Sequence, residues 1–433
     1  MSTRKPDATP ASLSDAHLRR RYQALLRGDP VIGPENRVID AAYDRWRELK
    51  RMAIVYGLPR DEGLFFPTLE DNNTTRTENN GEDGCSLRGR IWKRFLGVED
   101  ATIDVLRYQE LVQQGASHYD ADIRNDTFRT FRGDAKFAER VPEGKLVRLL
   151  NAFFNELDAG NSSPDLDQAD YIRYVQGMNV LCAPLLYVMP EEDAYHTFCQ
   201  LILKHCPKYM VAQLKGVENG CVLVDKCLEV IDPELYRHLS SRGITARIYA
   251  LPLILSLFAC VPPLKELLRV WDVLFAVGVH FVVVLAVAHT VLLRSQLLAK
   301  DMDLMKILSS RFAPPLESDK LISVALQLLH RLPDDLLYEI TRHPLESPDL
   351  PESLPFTQET IDEIKKRLVQ STKPRHGVIS PKAVAPPPPP VLVRTTSGEK
   401  DAASKQKATR VLSPSITPSH AGPTTMQRPP WKL

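Results

Sequence analysis

A run of 21 residues without a formal charge, 273–293, constrains this chain more than any other segment. Its length matches the roughly 20 residues with which an α-helix crosses a bilayer core of about 30 Å. Four residues interrupt its apolar character: Gly278, His280, His289 and Thr290. No second span or flanking basic cluster would set an orientation in a membrane. A helix that is apolar on all sides also fits the centre of a large helical protein, so we expect buried core helices here and no transmembrane span.

The charge distribution divides the chain of 433 residues into an acidic body and a basic tail. Residues 371–433 carry ten Lys or Arg and two Asp or Glu, a balance of +8. Because the whole chain has a net charge of +1, the first 370 residues carry 1 − 8 = −7. Such a tail suits anionic partner surfaces, although simple solvation of an unfolded segment is the more common explanation. Five consecutive prolines in the tail favour polyproline II geometry.

Apolar residues at three- and four-residue spacing predict helices along much of the chain. Most of these predicted helices are flanked by Pro or Gly. The predicted helices cover residues 12–27, 35–56, 142–157, 192–205, 220–231, 250–259, 264–273 and 320–331. Runs of alternating polarity are nearly absent. We therefore predict an all-α fold with little or no sheet.

Composition shifts predict four regions in this chain. They are N-terminal helices at 1–60, a polar flexible insertion at 61–86, a compact helical domain at 87–345, and a Pro-rich basic tail, largely disordered, at 346–433. The insertion offers little to bury, which favours mobility. Seven cysteines without two-residue spacing are typical of reduced core thiols in a cytosolic protein. The first residues lack a signal-peptide pattern, so secretion is not expected.

Arg129 is the first candidate catalytic residue. It ends the pattern Ile123-x-x-Asp126-x-x-Arg129, in which a spacing of three places all three side chains near one helical face. The isoleucine can anchor the segment while the carboxylate orients an arginine. Taken alone, an aspartate and an arginine at this spacing usually form a solvated surface pair.

Gln176 is the second candidate. It lies in Tyr174-x-Gln176-Gly177, after the polar segment 158–170 and directly before the apolar stretch 178–186. If that stretch is helical, the glutamine lies near a helix start, where backbone N–H groups favour phosphate. A lone Tyr-x-Gln is more often a hydrogen-bonding group at the core edge. A permanent cation and a carboxamide together, however, suit GTP hydrolysis, in which phosphoryl charge must be neutralised and water oriented.

Four ordered motifs favour the catalytic interpretation. They are Leu87-Arg-Gly-Arg-Ile-Trp-Lys-Arg-Phe-Leu-Gly97, Ile-x-x-Asp-x-x-Arg, Tyr-x-Gln-Gly-Met-Asn and Trp271-Asp-Val-Leu-Phe-Ala-Val-Gly278. Over about residues 87–343 the chain closely resembles the Tre-two/Bub-two/Cdc-sixteen (TBC) domain. The resemblance implies an all-helical, V-shaped, two-lobed fold that accelerates GTP hydrolysis on Rab-like small GTPases. It implies no cofactor of its own, because GTP and Mg²⁺ belong to the partner, and a protein that is not itself a GTPase.

The resemblance also implies residue roles. Arg129 and Gln176 match the catalytic arginine and glutamine of the family, the glutamine standing in for that of the GTPase. The supporting residues are Ile123, Asp126, Tyr174, Gly177, Arg88 and Trp92. Tyr174 and Gly177 would fix the glutamine loop. Arg88 and Trp92 look architectural, with the indole in the core and Arg88 pairing with a carboxylate such as Asp126.

Within the family, the stretches 174–184, 224–236, 260–264 and 332–339 resemble the fungal Bub-two and Cdc-sixteen group. That resemblance implies the catalytic half of a two-component GTPase-activating complex. Such a protein would be cytoplasmic. Together with a large scaffold subunit at the spindle pole body, it would restrain mitotic exit and septation. Two alternatives are a GTPase-activating protein for a membrane-traffic Rab and a non-catalytic TBC interaction module. No nucleic-acid partner is expected.

Overall fold

The computed structural model describes residues 14–33, 37–59, 85–160, 171–299, 303–308 and 314–345. All of them belong to the first of two compact units, Met1–Pro374. The regular structure of these residues is almost entirely helical, which confirms the all-α prediction. The one sheet in the described part of the chain is an antiparallel pair of two-residue strands, β1 (Val31–Ile32) and β2 (Val38–Ile39).

Nineteen α-helices lie within the described residues. The first nine are α1 (Asp15–Arg27), α2 (Ala42–Val55), α3 (Leu87–Phe95), α4 (Val105–Gln113), α5 (Asp120–Thr127), α6 (Ala135–Arg140), α7 (Glu143–Gly160), α8 (Met178–Val188) and α9 (Glu191–Gln200). The later ones are α10 (Lys215–Ile231), α11 (Pro233–Ser240), α12 (Ala246–Tyr249), α13 (Leu251–Leu255), α14 (Leu264–Val277), α15 (Val282–Leu292), α16 (Arg294–Leu297), α17 (Leu304–Leu308), α18 (Ser318–Leu329) and α19 (Asp334–Arg342).

Short polar side chains begin several of these helices. The hydroxyl of Ser86 accepts a hydrogen bond of 2.9 Å from the backbone N–H of Gly89 at the start of α3. The carboxylates of Asp104 and Asp134 accept from backbone N–H groups in the same way at α4 and α6. Each cap provides an acceptor for one of the N–H groups that lack a partner within the helix.

The apolar run consists of two buried helices. Gly278, with φ of 135°, lies between α14 and α15 and breaks the helical path. α15 is buried along nearly its whole length and packs against α10 and α18. The interpretation as buried core helices is therefore confirmed. No helix in the described ranges is long and apolar enough to cross a membrane.

Some predicted helix boundaries were wrong. Helix α2 begins at residue 42 and not at 35, because residues 38–39 pair with β1 instead. Helix α13 ends at Leu255, well before the predicted residue 259, because Leu257 and Phe258 take φ angles of 49° and 69°. A positive φ of this kind ends the right-handed helix.

Two further helices differ from the prediction at their C-terminal ends. Helix α7 continues to Gly160, beyond the predicted end at residue 157. Helix α9 ends at Gln200 and a π-helical turn, Leu201–His205, completes the segment that was predicted as one helix.

The N-terminal helices pack directly on the motif-bearing helices. α1 contacts α3, and α2 contacts α14. Most of the polar insertion at 61–86 and the whole tail at 346–433 lie outside the described residues, so the four-region division stays a prediction. All seven cysteines are free thiols, five of them buried and two half-buried.

Candidate functional site

Arg129 directly follows a short, firmly anchored helix, α5. Ile123 of α5 is fully buried, and α5 packs against α7 and α8. The helix ends at Thr127, so Arg129 lies in the turn that follows it. Its side chain is 48% exposed. The spacing of three thus holds the backbone through the isoleucine while the guanidinium extends into solvent.

Asp126 connects the two candidate catalytic segments. One oxygen of this nearly buried carboxylate, 5% exposed, accepts a hydrogen bond of 2.5 Å from Nη2 of Arg129. The other oxygen accepts one of 2.8 Å from the hydroxyl of Tyr174. A buried carboxylate needs such donors to replace water. Because Tyr174 is two residues from Gln176, this single carboxylate links the arginine turn to the glutamine loop.

Tyr174 is held in place by aromatic packing as well as by its hydroxyl. Its ring centroid lies 6.0 Å from that of Tyr119 and 5.9 Å from that of Phe154 in α7. Burial, the negative charge of Asp126 and the hydrogen bond to Asp126 raise the pKa of Tyr174 well above its usual value. The phenol therefore remains a hydrogen-bond donor throughout the physiological pH range.

Gly177 sets the path of the glutamine loop. Its φ of 110° lies in a region that residues with a side chain rarely adopt, although there is open space where a Cβ would be. The need for glycine here comes from backbone conformation. Helix α8 begins at the next residue, so Gln176 is exposed beside a helix N-terminus, as predicted. The N-terminus of a helix such as α8 favours an anionic ligand.

Asn179 is a supporting residue that the sequence interpretation missed. Its Nδ2 donates to Oγ1 of Thr130 at 2.7 Å and to the backbone carbonyl of Asp126 at 3.3 Å. The asparagine is buried in the first turn of α8. It therefore ties the helix after Gln176 to the turn that carries Arg129. The signal was present in the motif Tyr-x-Gln-Gly-Met-Asn, because a buried amide requires partners.

The prediction that Arg88 pairs with a carboxylate such as Asp126 was wrong about that residue. Arg88 donates to Asp272 from Nε at 2.9 Å and from Nη2 at 3.2 Å. The indole N–H of Trp92 donates to the same carboxylate at 3.0 Å. Asp272 is fully buried in α14, whereas Asp126 is already occupied by Arg129 and Tyr174. Trp92 is fully buried, as predicted, against Trp271 and Phe275.

An exposed aromatic side chain flanks the arginine. Phe128 is exposed although it is large and apolar, and the guanidinium of Arg132 lies 5.4 Å from its ring centroid. Exposed aromatic and arginine side chains are enriched where proteins bind one another. The surface around Arg129 thus has the composition of a protein interface. Within the described residues, no cluster of His, Cys, Asp or Glu is arranged to hold a metal ion.

This arrangement presents two kinds of functional group from linked backbone segments. Arg129 offers a planar, permanent positive charge with several N–H donors. Gln176 offers a carboxamide that can donate and accept at once. Shared contacts with Asp126 and Asn179 restrict how far the two segments can move apart.

Comparisons with known proteins agree with this geometry. Residues 85–298 match the Rab-GTPase-TBC domain model. The chain is 36% identical to the "Putative mitotic check point protein BUB2" of Dictyostelium discoideum, over 70% of this chain and 76% of that protein. It is also 36% identical to "Cell division control protein 16" of Schizosaccharomyces pombe, over 63% of this chain and 85% of that protein.

A third relative and a solved structure extend the comparison. The chain is 36% identical to "Mitotic check point protein BUB2" of Saccharomyces cerevisiae, over 67% of this chain and 90% of that protein. The crystal structure of the Ypt/Rab-GAP domain of Gyp1p superimposes with a TM-score of 0.51 at 13% identity, covering 73% of this chain and 98% of that one, and shares the fold. The chain therefore belongs to the Rab-GTPase-TBC domain family.

Proposed function

We propose that this protein is a GTPase-activating protein that supplies Arg129 and Gln176 to the nucleotide site of a Rab-like small GTPase. The observation that carries the proposal is the Asp126 carboxylate, which binds both Arg129 and Tyr174 and so joins the two catalytic segments. Family membership makes a Rab-like GTPase the expected partner. The GTP and Mg²⁺ belong to that partner.

Arg129 acts on charge. During hydrolysis, negative charge is distributed over the oxygens of the transferred phosphoryl group, and an arginine from a partner accelerates such reactions by roughly 10³ to 10⁵. The single hydrogen bond to Asp126 orients the guanidinium while its remaining N–H donors can bind phosphate oxygens. Ile123 and Asp126 position the arginine and do not touch the nucleotide.

Gln176 acts on the attacking water. Its carboxamide oxygen accepts a hydrogen bond from the water while its NH₂ group donates one to the phosphoryl oxygen or to the GTPase backbone. Gly177 and Tyr174 fix the loop so that the exposed side chain does not have to be ordered at the moment of reaction. In this mechanism the glutamine takes the place of the catalytic glutamine of the GTPase.

The biological setting follows from the relatives. Two are named as mitotic checkpoint proteins and a third as a cell division control protein. These names support a role in the control of cell division, and we propose that the protein acts there as the catalytic subunit of a two-component complex that restrains mitotic exit or septation. A large scaffold subunit would locate it at the spindle pole body in the cytoplasm.

Single-turnover hydrolysis with a panel of purified GTPases tests the proposal. We expect one mitotic-exit GTPase to hydrolyse GTP at least 100-fold faster with this protein, in line with the contribution of an arginine supplied in trans. A scaffold subunit would be added in a parallel series. Stimulation of membrane-traffic GTPases alone would identify the protein as a traffic regulator. Tight binding without any stimulation would identify a non-catalytic module.

A further inference from the structure

Helices α10 and α19 border an open groove of about 560 Å³ that the catalytic segments do not use. One wall is a stripe of α10 in which residues recur at helical spacing, namely Lys215, Asn219, Val222 and Lys226. Tyr338, Glu339 and Arg342 of α19 form part of the opposite wall. His343 and Leu345, which follow α19, also line the groove, and Leu345 is the last described residue of the chain.

The groove is strongly basic. Four cationic side chains line it: Lys208, Lys215, Lys226 and Arg342. Among the described lining residues the one carboxylate, that of Glu339, forms an ion pair of 2.6 Å with Lys226. Burial lowers the pKa of His343 to about 4, so this ring is neutral at pH 7. On the neighbouring surface of α10, Glu218 is paired with Arg247. The described lining residues thus carry four cations against one carboxylate, and this excess of positive charge favours an anionic ligand.

The groove also exposes apolar side chains. Val222 and Tyr338 are both solvent-exposed in spite of their size. A groove between helices that combines apolar side chains with flanking cations is typical of peptide recognition. The ligand that fits it is a peptide with several carboxylates and a few apolar residues.

We propose that the groove binds the segment of this same chain that follows it, residues 346–363. This segment contains six Asp or Glu and no Lys or Arg, giving a charge of −6. Its apolar residues Leu350, Leu354 and Phe356 are spaced among the carboxylates. Residues 371–433, with their charge of +8, would be repelled from the same surface.

The position of the segment strengthens the match. Residue 346 directly follows Leu345, so the acidic segment starts at the groove itself. Lys215 and Lys226 are about 16 Å apart along α10 at 1.5 Å per residue. Eighteen residues of extended chain reach roughly 60 Å, which is ample. A short tether gives a local concentration on the order of millimolar, so even weak contacts would be formed within one molecule.

Zero-length carbodiimide cross-linking of the full chain tests this docking directly. The reagent joins a carboxylate to a lysine amine as an amide, and the oxygen lost by the carboxylate leaves with the reagent as a urea. We expect cross-links from Glu346, Asp349 or Glu352 to Lys215 and Lys226 at least fivefold more often than to Lys265 and Lys320. The last two lysines are exposed and lie outside the groove. Equal frequencies would overturn the proposal.

Charge variants provide the matched control. In the triple variant E346Q/D349N/E352Q, an acylating reagent in solution should modify Lys215 several-fold faster, because the docked segment no longer shields this lysine. The variant E399Q/D401N neutralises two carboxylates of the basic tail and should leave that rate unchanged. An unchanged rate in the triple variant would refute docking.

Isotope mixing separates docking within one chain from docking between chains. In an equal mixture of unlabelled and ¹⁵N-labelled protein, cross-linked peptides should carry one isotope only. Hybrid peptides would replace the proposal with contact between copies. These readouts do not involve GTP hydrolysis, so their outcome is independent of whether the protein activates a GTPase.

Discussion

The two arginine–aspartate pairs of the signature motifs differ sharply in their surroundings. Arg88 and Asp272 form a bidentate contact in which both aspartate oxygens also receive other donors, from Trp92 and from the backbone of Leu58. Asp272 is fully buried. The guanidinium of Arg129, by contrast, donates one hydrogen bond to the carboxylate of Asp126, and the side chain is 48% exposed.

The difference teaches what each pair is able to do. A guanidinium enclosed by protein has its donors committed, so Arg88 can only hold helices α3 and α14 together. Arg129 is oriented by a buried carboxylate but keeps donors directed to solvent. The same two residue types thus serve architecture in one place and presentation of a charge in the other, and burial decides between them.

Removal of Asp272 should have the largest effect. In Asp272→Ala, the nearly buried Arg88 and the indole of Trp92 lose their shared acceptor. Breaking a buried pair in this way costs about 3 to 5 kcal/mol of unfolding free energy. Denaturant unfolding of the full chain measures it. Asp29→Ala, which breaks an exposed pair with Arg27, is the control and should cost under about 1 kcal/mol. Equal losses of unfolding free energy in Asp272→Ala and Asp29→Ala would contradict the difference between buried and exposed pairs.

Substitution of Arg129 should affect activity while leaving the domain folded. We expect Arg129→Ala to lower stimulated GTP hydrolysis by roughly 100-fold or more. The side chain is half exposed, so the domain should stay folded, with an unfolding free energy lowered by about 1 to 3 kcal/mol because the buried carboxylate of Asp126 loses one of its donors. Arg129→Lys, which keeps the charge but loses the planar fork, should recover only part of the rate.

The control for this substitution lies on α5, the helix that precedes Arg129. Arg124 pairs with Asp120 and is also exposed. Arg124→Ala should leave the stimulated rate nearly unchanged in the same single-turnover assay. A full rate in Arg129→Ala would remove this residue from the mechanism.

Local features of the site were predictable from the sequence. The spacing Ile123-x-x-Asp126-x-x-Arg129 indicated a buried anchor and an outward arginine, and Gly177 indicated an unusual backbone beside a helix start. Both follow from periodicity over a few residues. Their contribution to catalysis stays a prediction.

Long-range pairings could not be predicted in the same way. Asp272, the partner of Arg88, lies 184 positions later in the chain, and nothing local distinguishes it from Asp126. The early end of α13 could not be predicted either, because Leu257 and Phe258 adopt positive φ angles and no glycine marks these positions in the sequence. Such features depend on how helices pack, which overrides local propensity.

Gln176→Ala should lower stimulated hydrolysis by a similar or slightly smaller factor than Arg129→Ala. A catalytic glutamine in the GTPase can compensate in part, whereas no residue of the GTPase replaces the arginine. Gln114→Ala, at another exposed glutamine, is the control and should have no effect. If Gln176 orients the attacking water in place of the catalytic glutamine of the GTPase, mutation of that glutamine should change the stimulated rate little. Complete loss with that GTPase variant would contradict this role for Gln176.

Tyr174→Phe should have the smallest effect and tests how the two segments are linked. It removes the 2.8 Å hydrogen bond to Asp126 while keeping the ring between Tyr119 and Phe154. One hydrogen bond contributes about 0.5 to 1.5 kcal/mol, so we expect a loss of roughly 2- to 12-fold in the stimulated rate.

The pH dependence of the wild-type protein provides the second readout for Tyr174. A raised pKa keeps the phenol protonated as pH increases, so the hydrogen bond to Asp126 is present at pH 7 and persists through pH 9. The ratio of wild-type to Tyr174→Phe rates should therefore be constant across this range. A ratio that falls towards one as pH rises would show that the tyrosine ionises. The carboxylate would then no longer join the arginine turn to the glutamine loop, and Arg129 would be positioned by Asp126 alone.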